Sequence, residues 1–380
     1  MLKGTFMINN LAIQTSKKQR DPLVDIIKAI GIISIVIGHS AAISIPNIKF
    51  NSTIFVYGYH LMIFMFVLGF LFKKENATPP FQHIGKTVYS LGTLYVSYSV
   101  VFVLLHNLLI KWGFISGIEF NFSLLLQKLL ASFVFYCDEM MLGAFWFVPM
   151  YAFLAILFAS LFYVAEKSKC PVVFHSVFIA LTATIGILIH LRNISILFHI
   201  QTSVIAIPIC YLGFFTRKYW NKIEKFFTWY GAIIASVILN LSLTKFGAVE
   251  LSANQISTHY LFYPITVVGI YLCLSLARTI SKFKIPKKIF SYIGKNSFHI
   301  MALHLVSIKI VDVIYGILTN QPLEIYVKFP FAFDLWYIYY PVGVFLPLGI
   351  IEFVKLLKKF SIIGTKKLFA IMPKPKSDNV

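Results

Sequence analysis

The sequence predicts an all-α, polytopic integral membrane protein with about ten transmembrane helices and both termini in the cytoplasm. Composition is the first observation behind this: hydrophobic residues make up 58% of the 380 residues, charged residues only 13%, and Phe occurs 38 times. A soluble protein of this length cannot bury so much apolar surface. Disordered chains, collagens and disulfide scaffolds have different compositions and are excluded.

The second observation is the length of the apolar runs. Each is close to the ~20 residues that an α-helix needs to cross ~30 Å of hydrocarbon, whereas strands of a membrane barrel are half as long and alternate in polarity. The predicted spans are 24–44, 53–72, 87–110, 144–165, 171–190, 194–215, 227–245, 259–280, 297–318 and 334–357. Residues 120–136 contain Gln127 and Lys128 at their centre, so we expect an interfacial helix there.

The third observation is the distribution of charge. With the N-terminus inside, the inner segments hold 26 Lys and Arg residues and the outer segments six. This is the bias that the positive-inside rule describes. Membrane topology therefore accounts for the net charge of +20, and we expect no nucleic-acid partner. We expect a cytoplasmic segment at 1–22 without a cleavable signal, a ten-helix membrane domain at 23–357 and a basic cytoplasmic tail at 358–380.

Ionisable residues inside the spans are candidates for function because they are expensive to bury in lipid. Asp25, Lys28 and His39 lie on one face of the first span, and His60 lies in the second. Lys28 and His39 are eleven residues apart, or about 16 Å along a helix. In the alternative interpretation, Lys28 extends to the interface and pairs with Asp25, and His39 is a packed neutral side chain.

The ninth span also contains several polar residues. Ser297 and His304 are seven residues apart and share a helix face, whereas His299 lies about 140° from His304. Lys309 and Asp312 have the i, i+3 spacing of a structural ion pair. The other histidines lie at the ends of spans, where the membrane interface accounts for them: His106, His175, His190, His199 and His259.

Several common kinds of chemistry have no support in the sequence. Zinc motifs, the phosphate-binding P-loop, the nucleophile elbow and the dinucleotide-binding glycine pattern do not occur. The four cysteines are far apart, without metal spacing or a disulfide pattern. We therefore expect neither a metal nor another bound cofactor.

Four segments resemble the membrane acyltransferase-3 family. The first span, RDPLVDIIKAIGIISIVIGHS, has that family's basic residue and histidine separated by ten residues, here Lys28 and His39. The second span is similar to its F-H-M-P-x-F-x-x-x-S-G-F segment through His60 and Phe64, although Met62 and Leu68 replace the common Pro and Ser.

The other two segments lie further along the chain. AFWFVPMY, which contains Trp146, resembles the W-F-x-P segment of the family. SYIGKNSFHIMALH, which contains Ser297 and His304, resembles its late G-x-x-S-x-x-x-Y-x-x-H segment, with Met301 in place of the tyrosine. The order of the segments and the number of spans agree over nearly the whole chain.

The resemblance implies transfer of an acyl group, usually acetyl, from cytoplasmic acyl-CoA to a sugar hydroxyl. The acceptor would belong to a cell-envelope glycan or a lipid-linked precursor, and the protein would span the cell membrane several times. The chain most resembles the sugar O-acetylase branch, in which Lys occupies the basic position, and its short tail indicates the form without an added extracytoplasmic domain.

The expected roles follow from the chemistry of acyl transfer. A sugar hydroxyl needs a base, and imidazole is the natural one, so His39 is predicted to act as the base or as a covalent acyl carrier. An oxyanion donor is expected among Trp146, Ser297 and His60. The predicted residues for binding substrate and acyl-CoA are Lys28, Asp25, His60, Trp146, Ser297 and His304.

Two other classes of function remain open at this point. One is an exporter or flippase for a glycan or a small solute, with Asp25, Lys28 and His39 along its path. The symmetric halves and paired broken helices of such transporters are not evident in the sequence. The other is a purely structural membrane partner, which would not account for His39.

Overall fold

The computed structural model describes residues 21–76, 79–257 and 259–371, and helices dominate these residues. The α-helices in this part of the chain are α1 Pro22–Gly38, α2 Ser52–Tyr57, α3 Met62–Leu71, α4 Pro80–Lys111, α5 Phe122–Phe133, α6 Phe147–Lys167, α7 Pro171–Leu191, α8 Ile200–Lys218, α9 Trp220–Ile223, α10 Trp229–Phe246, α11 Phe262–Ser281, α12 Lys284–Lys295, α13 Ser297–Leu318, α14 Leu323–Tyr326 and α15 Trp336–Ile371. Short 3-10 helices cover Pro46–Ile48, Lys74–Asn76, Met140–Trp146, Leu197–His199, Glu224–Phe226 and His259–Leu261.

The strands in the described residues form two small antiparallel hairpins. β1 (Ser44–Ile45) pairs with β2 (Phe50–Asn51), and β3 (Val249–Glu250) pairs with β4 (Gln255–Ile256). Both hairpins connect helices at the end of the bundle where α1 terminates, and the second becomes important for the site.

The length and hydropathy of the helices confirm the all-α, polytopic fold. Nine segments among the described residues are long and apolar enough to cross a membrane. α1, which corresponds to the first of the ten predicted spans, is not among these nine. Its 17 residues are at the short end of the range for a spanning helix. α5 has only 12 residues, so it is too short to be an additional span, as its central Gln and Lys indicated.

α1 lies at the centre of the bundle. It packs against α2, α3, α11, α12, α13 and α15. Its start is fixed by Asp21, whose carboxylate accepts a hydrogen bond from the Leu23 N–H at 3.0 Å, and by Pro22 in the first turn. A helix that is apolar over most of its surface is buried among other helices, and most residues of α1 are buried.

α1 ends earlier than the sequence predicts, at Gly38 instead of residue 44. The His39 N–H donates to the Ile35 carbonyl at 3.1 Å, and the Ser40 hydroxyl donates to the Val36 carbonyl at 2.6 Å. These bonds satisfy carbonyls that would otherwise lack partners at the helix end. His39 therefore stands at the terminus of α1, just before the chain turns into the first hairpin.

The second predicted span is broken into α2 and α3. In the four-residue turn between them, the Val56 carbonyl accepts from the backbone N–H groups of Tyr59 and His60 and lies 3.1 Å from Nδ1 of His60. Local bonds of this kind compete with the regular helix pattern. The break places His60 in a turn within the bundle.

α12 lies between the predicted spans 259–280 and 297–318, where the sequence predicted no helix. Its lysines are exposed, whereas Ser291, Ile293 and Gly294 are buried against the bundle. A Cβ atom on Gly294 would lie 1.7 Å from the carbonyl oxygen of Asp25, so only glycine permits this contact between α12 and α1. The contact fixes the N-terminal half of α1, where Asp25 and Lys28 lie.

We expect Gly69→Ala to destabilise the protein, because α3 and α8 touch through their backbones. A Cβ atom on Gly69 would lie 1.8 Å from the Cys210 carbonyl oxygen, and backbone cannot yield as a flexible side chain can. The expected cost is about 1–3 kcal/mol or more, measured as a lower thermal denaturation midpoint of the purified protein. Gly349→Ala is the matched control, since no heavy atom lies within 4 Å of its Cβ position. Equal midpoints for the two variants would contradict this account of the packing.

Candidate functional site

Two histidines that are far apart in the chain meet inside the bundle. Nδ1 of His39, at the end of α1, lies 2.8 Å from Nε2 of His304 in α13. Their rings are stacked, with centroids 5.0 Å apart and planes 18° from parallel. His304 is fully buried and His39 is partly buried. The pair therefore has fixed positions and fixed ring orientations.

The surrounding carbonyl groups determine which nitrogen atoms carry protons. Nδ1 of His304 lies 2.9 Å from the Met301 carbonyl oxygen and 3.2 Å from that of Ile300, so Nδ1 is the protonated nitrogen. Nε2 of the neutral ring is then an acceptor, and Nδ1 of His39 donates to it. This network leaves Nε2 of His39 with an available lone pair, which is the form that a general base requires.

A small cavity of about 20 Å³ adjoins this pair, and we call it the His39 cavity. His39, His60, Trp146, Glu250 and Ser252 are among its walls. Its volume suffices for one water molecule or one hydroxyl group. The cavity therefore presents two imidazoles, an indole and a carboxylate to a single small polar group.

A second cavity of about 270 Å³, the Lys28 cavity, lies next to it. Lys28 and Ser297 supply its polar wall, and most of its other walls are aliphatic or aromatic. The two cavities share three wall residues, Ile35, Phe147 and Met301. Together they extend along α1 from the level of Lys28 to the level of His39.

The structure brings together six of the seven residues predicted for the site, distributed between the two cavities. Lys28 and Ser297 line one, His39, His60 and Trp146 line the other, and His304 contacts His39. The seventh is Asp25, which is 1% exposed and is not among the described residues that line either cavity.

The other polar residues of the ninth span behave as their spacing indicates. His299 binds the hydroxyl group of Tyr98 through its Nδ1 at 2.8 Å and takes no part in the His39 pair. Lys309 and Asp312 form an ion pair of 2.9 Å with both side chains fully buried, so that prediction is confirmed. Helical spacing thus correctly predicted the Lys309–Asp312 pair and the separation of His299 from His304 on this helix.

Sequence reasoning missed three residues near the histidines. Glu250 and Ser252 reach the His39 cavity from the second hairpin, and the Ser252 hydroxyl and N–H both donate to the Glu250 carboxylate. Tyr57 lines the same cavity and donates to the Gly38 carbonyl at 3.2 Å. No motif marks Glu250; the available signal was its place among only 14 acidic residues in the chain.

The described residues contain no group of three or more His, Cys, Asp or Glu side chains arranged to hold a metal ion.

Comparison with known proteins identifies the family. No match was found among the curated proteins or among the solved structures. A family model described as an acyltransferase domain matches residues 22–353, from the first residue of α1 to well inside α15. This match includes both cavities and the histidine pair. The chain therefore belongs to the acyltransferase-3 family of membrane acyltransferases.

Proposed function

We propose that this protein transfers an acetyl group from cytoplasmic acyl-CoA to a sugar hydroxyl of a cell-envelope glycan or a lipid-linked precursor. The observation that carries the proposal is the pair of adjoining cavities, one with a lysine wall and the other with His39 in the base form. An acyl donor entering beside Lys28 and an acceptor hydroxyl entering beside His39 would meet at their shared wall.

The Lys28 cavity suits the arm of an acyl-CoA. Its mainly apolar walls favour a flexible chain that ends in a thioester, and the lysine at its wall favours the anionic end of such a donor. The basic residues predicted on the cytoplasmic side would attract the polyanionic nucleotide, although the positive-inside rule accounts for the same lysines.

The chemistry that these residues can perform is a direct transfer. Nε2 of His39 takes the proton of the acceptor hydroxyl, and the oxygen attacks the thioester carbonyl carbon. The tetrahedral intermediate then expels the CoA thiolate, which takes the proton from the imidazolium ion, so an ester and a free thiol result. Alternatively, Nε2 attacks the thioester carbonyl carbon and expels the CoA thiolate. The acceptor hydroxyl then attacks the acyl-imidazolium ion, its proton passes to the thiolate, and free imidazole, an ester and a thiol result.

The indole of Trp146 is our choice for the oxyanion donor. Nδ1 of His60 lies 3.1 Å from the Val56 carbonyl oxygen, so Nδ1 is the protonated nitrogen and Nε2 of the neutral ring is an acceptor. An indole N–H is only ever a donor, and Trp146 lines the His39 cavity. Ser297 lies at the start of α13, about 10 Å along the helix from His304. It lines the Lys28 cavity, so we assign it to the binding of the acyl donor.

The substrate assignment is tested by mass spectrometry of surface glycans from cells with and without the protein. Loss of acetyl esters in cells that lack it, restored by the wild-type protein, is the expected result. Cells that express His39→Ala should resemble cells without the protein. Identical O-acetylation of every surface glycan in all three samples would contradict the proposed function.

We expect Lys28→Met to weaken the binding of acyl-CoA, because Lys28 supplies the charge at its cavity. An anion contact made equally in the ground state and the transition state raises the KM for acyl-CoA and leaves kcat largely intact. Lys28→Arg keeps the charge and should retain substantial activity, although its fork geometry differs. Titration of acetyl-CoA onto the purified variants measures the effect. Wild-type affinity in Lys28→Met, combined with a lower denaturation midpoint, would reduce Lys28 to a structural role.

A further inference from the structure

A third cavity, of about 370 Å³, shares Trp146 with the His39 cavity. We propose that it binds a neutral pyranose ring of the acceptor and so positions the hydroxyl that His39 activates. The inference rests on the proposed function for the identity of the acceptor, and it adds a binding site to that proposal. We call this space the aromatic cavity.

Its position is the first argument. Trp146 lines both the aromatic cavity and the His39 cavity, so one indole separates them. The ring of His199, which immediately precedes α8, lies 4.5 Å from the indole, centroid to centroid. A ring bound here would lie beside the small cavity that accommodates a single hydroxyl group.

A buried amide in the wall of the aromatic cavity also points to a polar ligand. Gln201 is 0% exposed, and its Oε1 accepts from the Ile196 N–H at 3.1 Å. Its Nε2 has no hydrogen-bond partner among the residues that the structure describes, and the same holds for the buried Nδ1 of His199. Buried polar atoms are normally paired, because leaving them unpaired is costly. Both residues line the aromatic cavity, so a ligand with hydroxyl groups would pair them.

The backbone around this cavity is strained, which is the third argument. Phe135, Phe198 and His199 have φ values of 62°, 59° and 53°, in the left-handed region that bulky residues avoid. All three line the aromatic cavity. Strain of this kind persists where the surrounding structure holds it, and it clusters at binding sites.

The wall chemistry selects the ligand class. Aromatic rings of Tyr95, Phe135, Tyr136 and Trp146 line the space, and their negative faces suit the slightly positive C–H groups of a sugar ring. Among the described residues that line it there is no Lys, Arg, Asp or Glu, so a neutral sugar fits better than an anionic one. An alkyl chain would leave the Gln201 amide unpaired.

The binding test uses the full chain in lipid nanodiscs, without glycoside detergents, and methyl α-D-glucopyranoside as the probe. Saturation-transfer NMR should show contact with the ring protons of the probe in the wild-type protein. Gln201→Met should weaken binding roughly tenfold through the lost hydrogen bond. Gln255→Met is the matched control, because Gln255 lies in the second hairpin, outside the aromatic cavity.

A second variant protects the test against a folding defect. Tyr136 is 52% exposed, so Tyr136→Leu removes an aromatic face with little risk to the fold, and it should also reduce the signal. Unchanged signals in both Gln201→Met and Tyr136→Leu would overturn the proposal. Equal signals from 2-(hydroxymethyl)tetrahydropyran, which lacks the ring hydroxyls, would also overturn it.

The binding test contains no acyl-CoA, so its outcome is separate from that of catalysis. If the variants lose sugar binding while no glycan is acetylated in cells, the sugar-binding role of the aromatic cavity is supported and the proposed acetyl transfer is contradicted. If acetylation depends on His39 and the variants bind the probe as the wild type does, only the acceptor site fails.

Discussion

His39→Ala is expected to lower acyl transfer by about 10²–10⁴-fold, the usual contribution of a general base, and to abolish it if His39 carries the acyl group. The reason is the hydrogen-bond chain that starts at the Met301 carbonyl, runs through His304 and leaves Nε2 of His39 as an acceptor. The measurement is transfer of radiolabelled acetyl groups from acetyl-CoA to glycan by the purified protein in liposomes.

His299→Ala is the matched control. This residue lies in the same helix as His304, binds Tyr98 and is not in contact with His39, so its loss should leave transfer within a few-fold of wild type. Near-normal transfer by His39→Ala would contradict the mechanism. Radiolabel trapped on the wild-type protein would favour the covalent route over direct deprotonation.

His304 allows the hydrogen-bond direction to be tested in the same assay. His304→Gln offers a carbonyl oxygen as acceptor for Nδ1 of His39 and should retain more activity than His304→Leu, which offers none. Equal activity of these two variants would contradict the assigned proton positions.

Asp312→Ala is expected to cost about 3–5 kcal/mol of folding free energy, the largest stability effect we predict. Asp312 and Lys309 are both 0% exposed. The aspartate also accepts from the Ala332 N–H at 3.1 Å and from the Tyr339 hydroxyl, and Lys309 donates to the Tyr326 carbonyl at 3.0 Å. Removing the carboxylate leaves a buried ammonium group without its counter-charge. The denaturation midpoint of the purified variant measures the loss.

An exposed pair of the same spacing serves as the control. Glu352 and Lys355 are 2.7 Å apart with about half of each side chain exposed, so Glu352→Ala should lower the denaturation midpoint far less than Asp312→Ala does. The double variant Lys309→Met/Asp312→Leu removes both buried charges and should recover much of the stability lost in Asp312→Ala. If the double variant is no more stable than Asp312→Ala, the loss does not come from the unpaired charge.

The spans could be predicted from the sequence because lipid imposes a length and a polarity on each of them. Helical spacing also predicted the Lys309–Asp312 pair and the separation of His299 from His304, since both depend only on residues within one helix. The placement of Lys28 and His39 along one side of α1 belongs to the same class of prediction, because eleven residues return a helix to nearly the same face.

What the sequence could not predict depends on contacts between distant segments. His39 and His304 are 265 residues apart, and their hydrogen bond exists only once α1 and α13 pack together. Glu250 enters the site from a hairpin loop that has no periodic pattern. His199 was interpreted as an interface residue, and its ring faces Trp146 because of a strained turn that hydropathy does not reveal.

The apolar wall between the Lys28 and His39 cavities has a consequence for the energy balance of the cell. A membrane holds a voltage, worth about 2.3 kcal/mol for each elementary charge per 100 mV, and a continuous thread of water through a protein would dissipate it. The three residues that line both cavities, Ile35, Phe147 and Met301, are all apolar, and apolar constrictions exclude water and ions. If the protein acts as proposed, the donor and the acceptor can bind in adjoining cavities without a water-filled path that would carry ions across the membrane.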